Sequence, residues 1–402
     1  MKSESVVVCG SGIVGLATVL GLTRAGIKAV LLGPRHGPAP MNVDEYCPRV
    51  YAISLASQQF LAQLGVWNML DADRIAAVEA MEVHGDANGQ VTLRAWQATQ
   101  PTLAWIVESS EIERVLQHAV HVFGIAWRDE RFQQLEPGAI VTESGQRLEA
   151  DLVVGADGAN SPVRTAAGIN HRSSPYGDVG LVAHLNSEYF HQQTAVQWFT
   201  GDSVLALLPL PDTSDGHQVS MVWSAPQAMA SQVLALPEPQ RNELLQTHLQ
   251  QISGGRLGRL QVRSPVFGFP LYLESSAMVA PGVALVGDAA HRVHPLAGQG
   301  LNLGLADAAA LLHVLGHRES YRGVGERRVL ERYRRQRAEA ILAMRLATDG
   351  LYRLFAARAT PVAWARNLGM RGLERVPFLK QRLIAAASGT MINDVHGNRE
   401  LL

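Results

Sequence analysis

The 402-residue chain is 47% hydrophobic and 18% charged, a balance that excludes an intrinsically disordered chain and a highly charged coiled coil. Thirty-five basic against 36 acidic residues leave a formal charge of −1, which removes any global electrostatic case for nucleic-acid binding. Its two cysteines, Cys9 and Cys47, build no disulfide framework and have no CxxC partner for a metal, and the length predicts two to three domains.

Ser5–Thr23 is uncharged over about one membrane-span length. Four glycines, no basic leader and no Ala-x-Ala site argue against a signal peptide or a spanning helix. The run is better divided into a β-branched strand (Ser5–Cys9), a turn and a helix from Leu16 to Ala25. Ile27–Leu32 then forms a second strand, completing a βαβ unit. The turn, Gly10-Ser11-Gly12-Ile13-Val14-Gly15, has dinucleotide-site spacing. Gly10 allows the tight bend, Gly12 lets a pyrophosphate approach the backbone, and Gly15 lets helix and strand pack closely. The helix N-terminus adds free N–H groups and a positive dipole end. A glycine-rich buried turn is the plainer alternative. The acid expected after the second strand, for the adenosine ribose, is absent: Leu32 is followed by Gly33-Pro34-Arg35.

Residues 76–105 alternate like short strands, and Glu108–Val122 is patterned as a helix. Asp151-Leu152-Val153-Val154-Gly155-Ala156-Asp157-Gly158-Ala159-Asn160-Ser161 reads as a strand entering a polar turn, with a helix beginning at Pro162-Val163-Arg164. Between Tyr176 and Pro270, the runs Val179–Leu185, Ala195–Phe199, Val204–Leu210 and Val219–Trp223 alternate with period two between Pro/Gly/Asp-rich breaks, the pattern of an antiparallel sheet. Trp198, Phe199 and Trp223 read first as core. Val283–Val286 is again a strand, running into Gly287-Asp288-Ala289-Ala290-His291-Arg292-Val293-His294-Pro295-Leu296-Ala297-Gly298-Gln299-Gly300-Leu301-Asn302 and an Ala/Leu-rich helix to about Leu315. A glycine-rich helix start suits a phosphate or electron-rich ring held by backbone N–H groups, and the Asp288 carboxylate suits a sugar or ribityl hydroxyl. His291 and His294 lack the further ligands of a metal site and are expected to hydrogen-bond within this loop. No GxSxG supports a serine hydrolase.

From Glu326 to Arg382 there are fourteen basic and five acidic residues in amphipathic helical patterns, with Ile341, Leu351, Leu354, Phe355, Trp364 and Leu368 supplying apolar contacts. Two readings stand: a docked helical cap with a solvated face, or a peripheral surface for a membrane or complex.

The three glycine-bearing motifs occur with Arg49-Val50-Tyr51-Ala52-Ile53-Ser54 after the second strand, a Gly-Asp-Ala-Ala-His-x-x-His-Pro-x-Ala-Gly-Gln-Gly-x-Asn loop, and an Arg-rich helical tail. Over nearly its whole length the chain thereby resembles the class A flavoprotein aromatic hydroxylases, the p-hydroxybenzoate hydroxylase superfamily, and within it the ubiquinone-biosynthesis hydroxylases. The resemblance implies an α/β fold: a Rossmann-like FAD-binding domain (1–75, 106–170 and 271–325), an interleaved antiparallel β-sheet substrate domain (76–105 and 171–270) and a helical C-terminal region (326–402). It further implies FAD, with NAD(P)H as transient reductant and O₂ as co-substrate. Ring hydroxylation of a polyprenylated phenol would proceed through a flavin C4a-hydroperoxide.

The implied roles fall on matching positions. Gly10, Gly12 and Gly15 would line the pyrophosphate, with Val14 beside them, and Arg49 would reach the flavin side. Asp157 and Gly158 would lie by the pyrophosphate and the NAD(P)H approach. Asp288, after Gly287, would hold the ribityl chain, and Pro295, Gly298, Gln299, Gly300, Leu301 and Asn302 would meet the isoalloxazine ring. No side chain is named as an obligatory acid or base. Two positions depart from the family pattern: Gly33 replaces the usual Glu, and Ser109 stands where many relatives place Gln or Asn. The two cysteines fit a reducing, cytoplasmic setting, and a polyprenylated substrate drawn from lipid would suit the second reading of the basic helices, contact with the inner face of the membrane or a place in a quinone-biosynthesis complex. The oligomeric state stays open. The rival readings are a hydroxylase or reductase of the same fold with another substrate, and a cofactor-poor non-catalytic subunit suggested by Gly33.

Overall fold

The computed structural model describes residues 5–35, 37, 47–85, 89–294, 298–356 and 360–389, and no side chain of residues 356 and 360–365. The chain runs through β1 (Val6–Cys9), α1 (Ile13–Arg24), β2 (Ala29–Leu32), β3 (Val50–Ile53), α2 (Leu55–Gln63), β4 (Ile75–Val78), β5 (Ala80–His84), β6 (Gln90–Arg94), β7 (Ala104–Glu108), α3 (Ser109–Val122) and β8 (Ala126–Arg128). It continues through β9 (Phe132–Glu136), β10 (Ala139–Thr142), β11 (Arg147–Glu149), β12 (Leu152–Gly155), α4 (Pro162–Ala166), β13 (His171–Ser187), β14 (Thr194–Phe199), β15 (Val204–Thr213) and β16 (Gly216–Pro226). Then follow α5 (Gln227–Ala235), α6 (Glu238–Ser253), β17 (Leu260–Val262), β18 (Phe267–Ser276), β19 (Val279–Ala280), β20 (Val283–Leu285), β21 (His291–Arg292), α7 (Gly300–Gly316), α8 (Arg327–Ala356), α9 (Thr360–Arg375) and α10 (Pro377–Ala387).

Two sheets organise the molecule. One has the order β19-β20-β12-β1-β2-β8, parallel except at its β19 edge. Its central strands are short, apolar and buried on both faces, which only a sheet covered by helices on each side allows. The βαβ reading of the N-terminus is therefore correct, although α1 starts three residues earlier than Leu16, directly after the capping Gly12.

The larger sheet runs β21-β18-β13-β16-β15-β14-β5-β6, with β17 also on β13. All four strands expected from period-two patterning are present in it. Its pairings are antiparallel except β14 on β5, which is parallel. Alternation reports which face is buried, not the direction of the neighbour. Residues 76–105 divide between two sheets: β5 and β6 join the large one, whereas β4 and β7 pair in the order β3-β7-β4. The 270/271 boundary falls inside β18, where Pro270 faces Val179 next to a register shift in β13. A proline read as a break is thus absorbed by an irregular pairing. The helices α5 and α6 and the small β11-β10-β9 sheet were not anticipated.

The start of the basic tail belongs to the core. Val329, Leu330 and Tyr333 of α8 are fully buried, and the Tyr333 hydroxyl donates to Leu285 O at 2.7 Å. The Arg337 Nε donates to Asp307 Oδ1 at 2.7 Å, both side chains being buried. Phe355 stacks on Phe199 of the large sheet at 3.9 Å. Leu351, Leu354 and Leu368, expected to make apolar contacts, are exposed, and the Trp364 side chain lies outside the described residues. No helix among the described residues is long and apolar enough to cross a membrane.

Candidate functional site

A cavity of about 840 Å³ lies between the two sheets. Its lower wall comes from chain turns at the C-terminal ends of the parallel strands, where open α/β sheets bind ligands. Gly12 and Val14 at the start of α1, Arg49 before β3, Gly158 after β12, Asp288, and Gly298, Gln299, Gly300 and Leu301 at the start of α7 all line it. Two helix N-termini therefore open onto one cavity, each presenting first-turn N–H groups with no intrahelical partner. Asp288 adds an exposed carboxylate, and the Arg49 guanidinium sits 5.2 Å over the Tyr51 ring.

The remaining expected residues stand behind this wall. Gly10 (φ 117°) and Gly15 are demanded by contact: a Cβ on Gly10 would lie 2.2 Å from Ala156 O, and one on Gly15 1.9 Å from Gly10 O. Gly12 has open space where its Cβ would be, so its missing side chain leaves room above the turn. Asp157 does not reach the cavity. Its carboxylate accepts from Ser161 Oγ at 2.5 Å and Val163 N at 3.0 Å, which orders the turn and starts α4. Burial pushes Asp157 above the usual carboxylate range, against these hydrogen bonds. Gly287 donates its N–H to Asp307 Oδ2 at 3.0 Å rather than facing the cavity. Asn302 is a staple: its Oδ1 accepts from Ser54 N at 3.0 Å and its Nδ2 donates to Ala52 O at 2.8 Å, tying α7 to the β3–α2 turn. Pro295 lies outside the described residues.

The motifs are bound to one another by buried polar contacts. Arg164 donates to Ala289 O at 2.9 Å and Ala159 O at 2.7 Å, bridging the second and third motifs. His291 Nε2 lies 2.7 Å from Asp307 Oδ2, as a hydrogen-bonding role required. Burial alone would raise Asp307, but His291 and Arg337 hold its carboxyl below the ordinary range. No group of three His, Cys, Asp or Glu among the described residues is placed to hold a metal ion.

The first departure, Gly33, has a structural explanation. A Cβ on Gly33 would stand 2.9 Å from both Ser11 N and Ser11 Oγ, and that hydroxyl already donates to Pro34 O at 2.7 Å. The turn is thus closed by Ser11 where a longer side chain would otherwise sit. Ser109 begins α3, outside the cavity wall, and its Oγ lies 3.7 Å from Cys47 Sγ.

Sequence reasoning missed the depth of His294, Ser224 and Tyr352. His294 is fully buried at the cavity wall, stacked on Tyr352 of α8 at 4.8 Å and edged by Tyr176 at 4.7 Å. Its Nε2 is 3.4 Å from Ser224 Oγ, which donates to Asp178 Oδ2 at 3.3 Å. With the serine proton committed to Asp178, His294 Nε2 carries the hydrogen towards Ser224. Burial pushes the imidazole down to about 4, so it is neutral at pH 7. The double-His spacing marked the residue; nothing in the sequence linked it to a tyrosine 58 positions later.

The upper wall is a sheet face. Phe269, Val222, Ala206, Ala195, Met81 and Leu93, from β18, β16, β15, β14, β5 and β6, point into the cavity, with Ser224 and Gln197 as polar points among them. Seven neighbouring strands from β18 to β6 span about 29 Å at ~4.8 Å per step.

Amide-rich turns facing a long apolar wall define a flavin-dependent enzyme of the FAD-binding α/β class. Residues 3–347 match the model of the FAD binding domain family. The chain is 32% identical to the ubiquinone hydroxylase UbiL of Rhodospirillum rubrum, over 97% of this chain and 90% of that one. It is 33% identical to the 3-demethoxyubiquinol 3-hydroxylase of Escherichia coli, over 96% and 99% respectively. Among solved structures, p-nitrophenol 4-monooxygenase PnpA from Pseudomonas putida superposes with a TM-score of 0.76 at 16% identity, covering 99% of this chain and 100% of that one, a likeness of fold. The chain belongs to the ubiquinone-biosynthesis FAD-dependent hydroxylase family, within the class A flavoprotein monooxygenases.

Proposed function

We propose that this protein hydroxylates the aromatic ring of a polyprenylated phenol in ubiquinone biosynthesis. The observation that carries the reading is the shape of the cavity: one wall of backbone N–H groups, the other a strip of apolar side chains far longer than a single ring needs. The six-stranded layer with its turns is assigned to FAD and the large sheet to the substrate. FAD, when bound, supplies oxygen activation and transfer of one oxygen atom to the ring, with NAD(P)H as reductant and O₂ as co-substrate.

The chain's own part is binding, orientation and exclusion of water. Gly12, Val14 and Gly158 would border the diphosphate, and the α1 N-terminus would stabilise its charge. Asp288 would accept from ribityl hydroxyls, and Gly298–Leu301 would offer amides to the ring system. Gly10, Gly15, Asp157, Gly287 and Asn302 would hold those groups in place without touching the cofactor. The apolar sheet face keeps water from the reacting ring, while Ser224 and Gln197 supply polar contacts for its substituents. Because the sequence carries a single GxGxxG, NAD(P)H is read as binding transiently rather than in a second Rossmann domain. The exposed basic residues of α9 and α10 fit contact with the inner face of a membrane, and membership of a biosynthetic complex is part of the same reading.

The test is to reconstitute the purified chain with FAD and follow NAD(P)H- and O₂-dependent hydroxylation of a prenylphenol by mass spectrometry. Incorporation of one oxygen atom is expected. A full flavin load with oxidation of polar phenols only would transfer the protein to a soluble-substrate role.

A further inference from the structure

We propose that α10 is the gate through which the substrate's apolar tail leaves the cavity, and that its outer face rests on an anionic lipid surface. This rests on the reading of the substrate as a prenylated phenol. The cavity has direction. Its amide-bearing wall and the polar points Ser224 and Gln197 lie under the middle of the large sheet, whereas Met81 and Leu93 carry the apolar strip to the β6 edge. There α10 closes it: Ile384 is buried in the cavity wall, and Ala387 borders both the cavity and solvent. The cavity wall therefore meets solvent beside this helix, as it also does at Phe267 and Phe269 on the opposite side of the sheet.

The helix is held as a strap at both ends. At its start Lys380 Nζ, buried, donates to Thr92 O at 2.9 Å and pairs with Glu374 Oε1 at 2.7 Å, while Thr92 N donates to Glu374 Oε2 at 2.8 Å. At its end Ser388 O accepts from Ala56 N at 3.1 Å and Ser388 Oγ from Gln100 Nε2 at 2.9 Å. Between these fastenings α10 meets the cavity through Ile384 and Ala387.

The outer face is built for a lipid boundary. Phe378, Leu379 and Leu383 are 60%, 46% and 45% exposed, and Trp96 on the turn beneath α10 is 72% exposed. Arg382 of α10 is exposed and lies 5.3 Å over the Phe378 ring, and Arg371 and Arg375 at the end of α9 are exposed as well. At 11 residues, about 17 Å, the helix is too short to span a bilayer. Exposed Phe378, Leu379, Leu383 and Arg382 on α10, with exposed Arg371 and Arg375 on α9 and the indole of Trp96 on the turn packed against α10, fit the plane of an anionic headgroup layer. The inner face of α10 thus touches the apolar end of the cavity while its outer face touches lipid.

The experiment uses the FAD-loaded full chain. A polyprenylphenol carrying a diazirine at its tail terminus is bound and photolysed, and the adducts are mapped by peptide mass spectrometry. Adducts on residues 377–387 or at Trp96 are expected; adducts at the exposed Phe267–Phe269 edge overturn the gate. In parallel, sedimentation is measured with vesicles of phosphatidylcholine and phosphatidylglycerol (3:1) and with phosphatidylcholine alone. The triple variant Phe378→Ser, Leu379→Ser, Leu383→Ser should bind the anionic vesicles at least tenfold more weakly with its FAD affinity unchanged. Unaltered vesicle binding, equal binding to neutral vesicles, or docking only to a protein partner overturns the lipid surface. Absence of phenol-dependent turnover with any phenol removes the substrate reading instead, whatever the vesicles and the photolabel report.

Discussion

The two walls of the cavity are built by opposite means. The lower wall is backbone: strand ends, glycines and helix N-termini, packed so closely that a Cβ on Gly15 would strike Gly10 O, and tied by the buried Asp307 cluster. The upper wall is side chains on a sheet, where volume matters and individual atoms do not. On the proposed reading one wall meets a fixed cofactor and the other a greasy chain with no polar features to read. Single substitutions should therefore act steeply below and shallowly above.

The steepest test is within one turn. Gly15→Ala places a methyl 1.9 Å from Gly10 O and should abolish FAD binding together with the yield of folded protein. Gly12→Ala meets nothing within 4 Å, so it should leave the melting temperature near wild type while weakening FAD at least ~10-fold by occupying the approach surface. Equal effects in flavin titration and thermal melts would erase the distinction between wall and support. Next in size is Arg337→Met, which removes the buried guanidinium from Asp307 and leaves only His291 and the Gly287 N–H beside its carboxylate, and which should cost about 3 kcal/mol in urea unfolding.

The pH dependence follows from His294. Its folded-state value of about 4 is below the unfolded 6.5, so the unfolded chain binds the extra proton first as pH falls. Stability contributed by the neutral ring is complete above pH 6.5 and is lost towards pH 4, by about 3 kcal/mol in all. His294→Gln should flatten that part of the stability profile; an identical slope in the variant would show that other groups set it.

Asp288→Asn tests the lower wall without changing its shape. Loss of a charge-assisted hydrogen bond predicts weaker FAD by about 1.5–3 kcal/mol, read by fluorescence titration. The smallest effect belongs to the upper wall: Leu93→Ala should cost about 1 kcal/mol of stability and shift tail-length preference rather than FAD affinity. A large loss of FAD binding there would break the contrast between the walls.

The motifs were legible because each needs a residue type that chemistry cannot replace. Gly10 and Gly15 have no substitute because a Cβ there would meet a backbone carbonyl oxygen, whereas Gly12 keeps open the space above the turn, and the strands of the large sheet announce themselves by period two. Asp157 shows the limit of such reading. The position was found, but its carboxylate orders a turn instead of facing a ligand, because Ser161 and Val163 N compete for it locally. Gly33, read as a missing acid, is a packing requirement set by Ser11.

Sequence alone determined the class of fold and the family, since these are carried by short, contiguous motifs whose backbone geometry is local. Tertiary structure alone decided that His294 is sealed beneath Tyr352, that α8 enters the core through Tyr333 and Arg337, and that α10 closes the end of the cavity. Those contacts join residues tens to hundreds of positions apart, and nothing within either segment specifies its partner: burial and register arise only when the sheets and helices assemble.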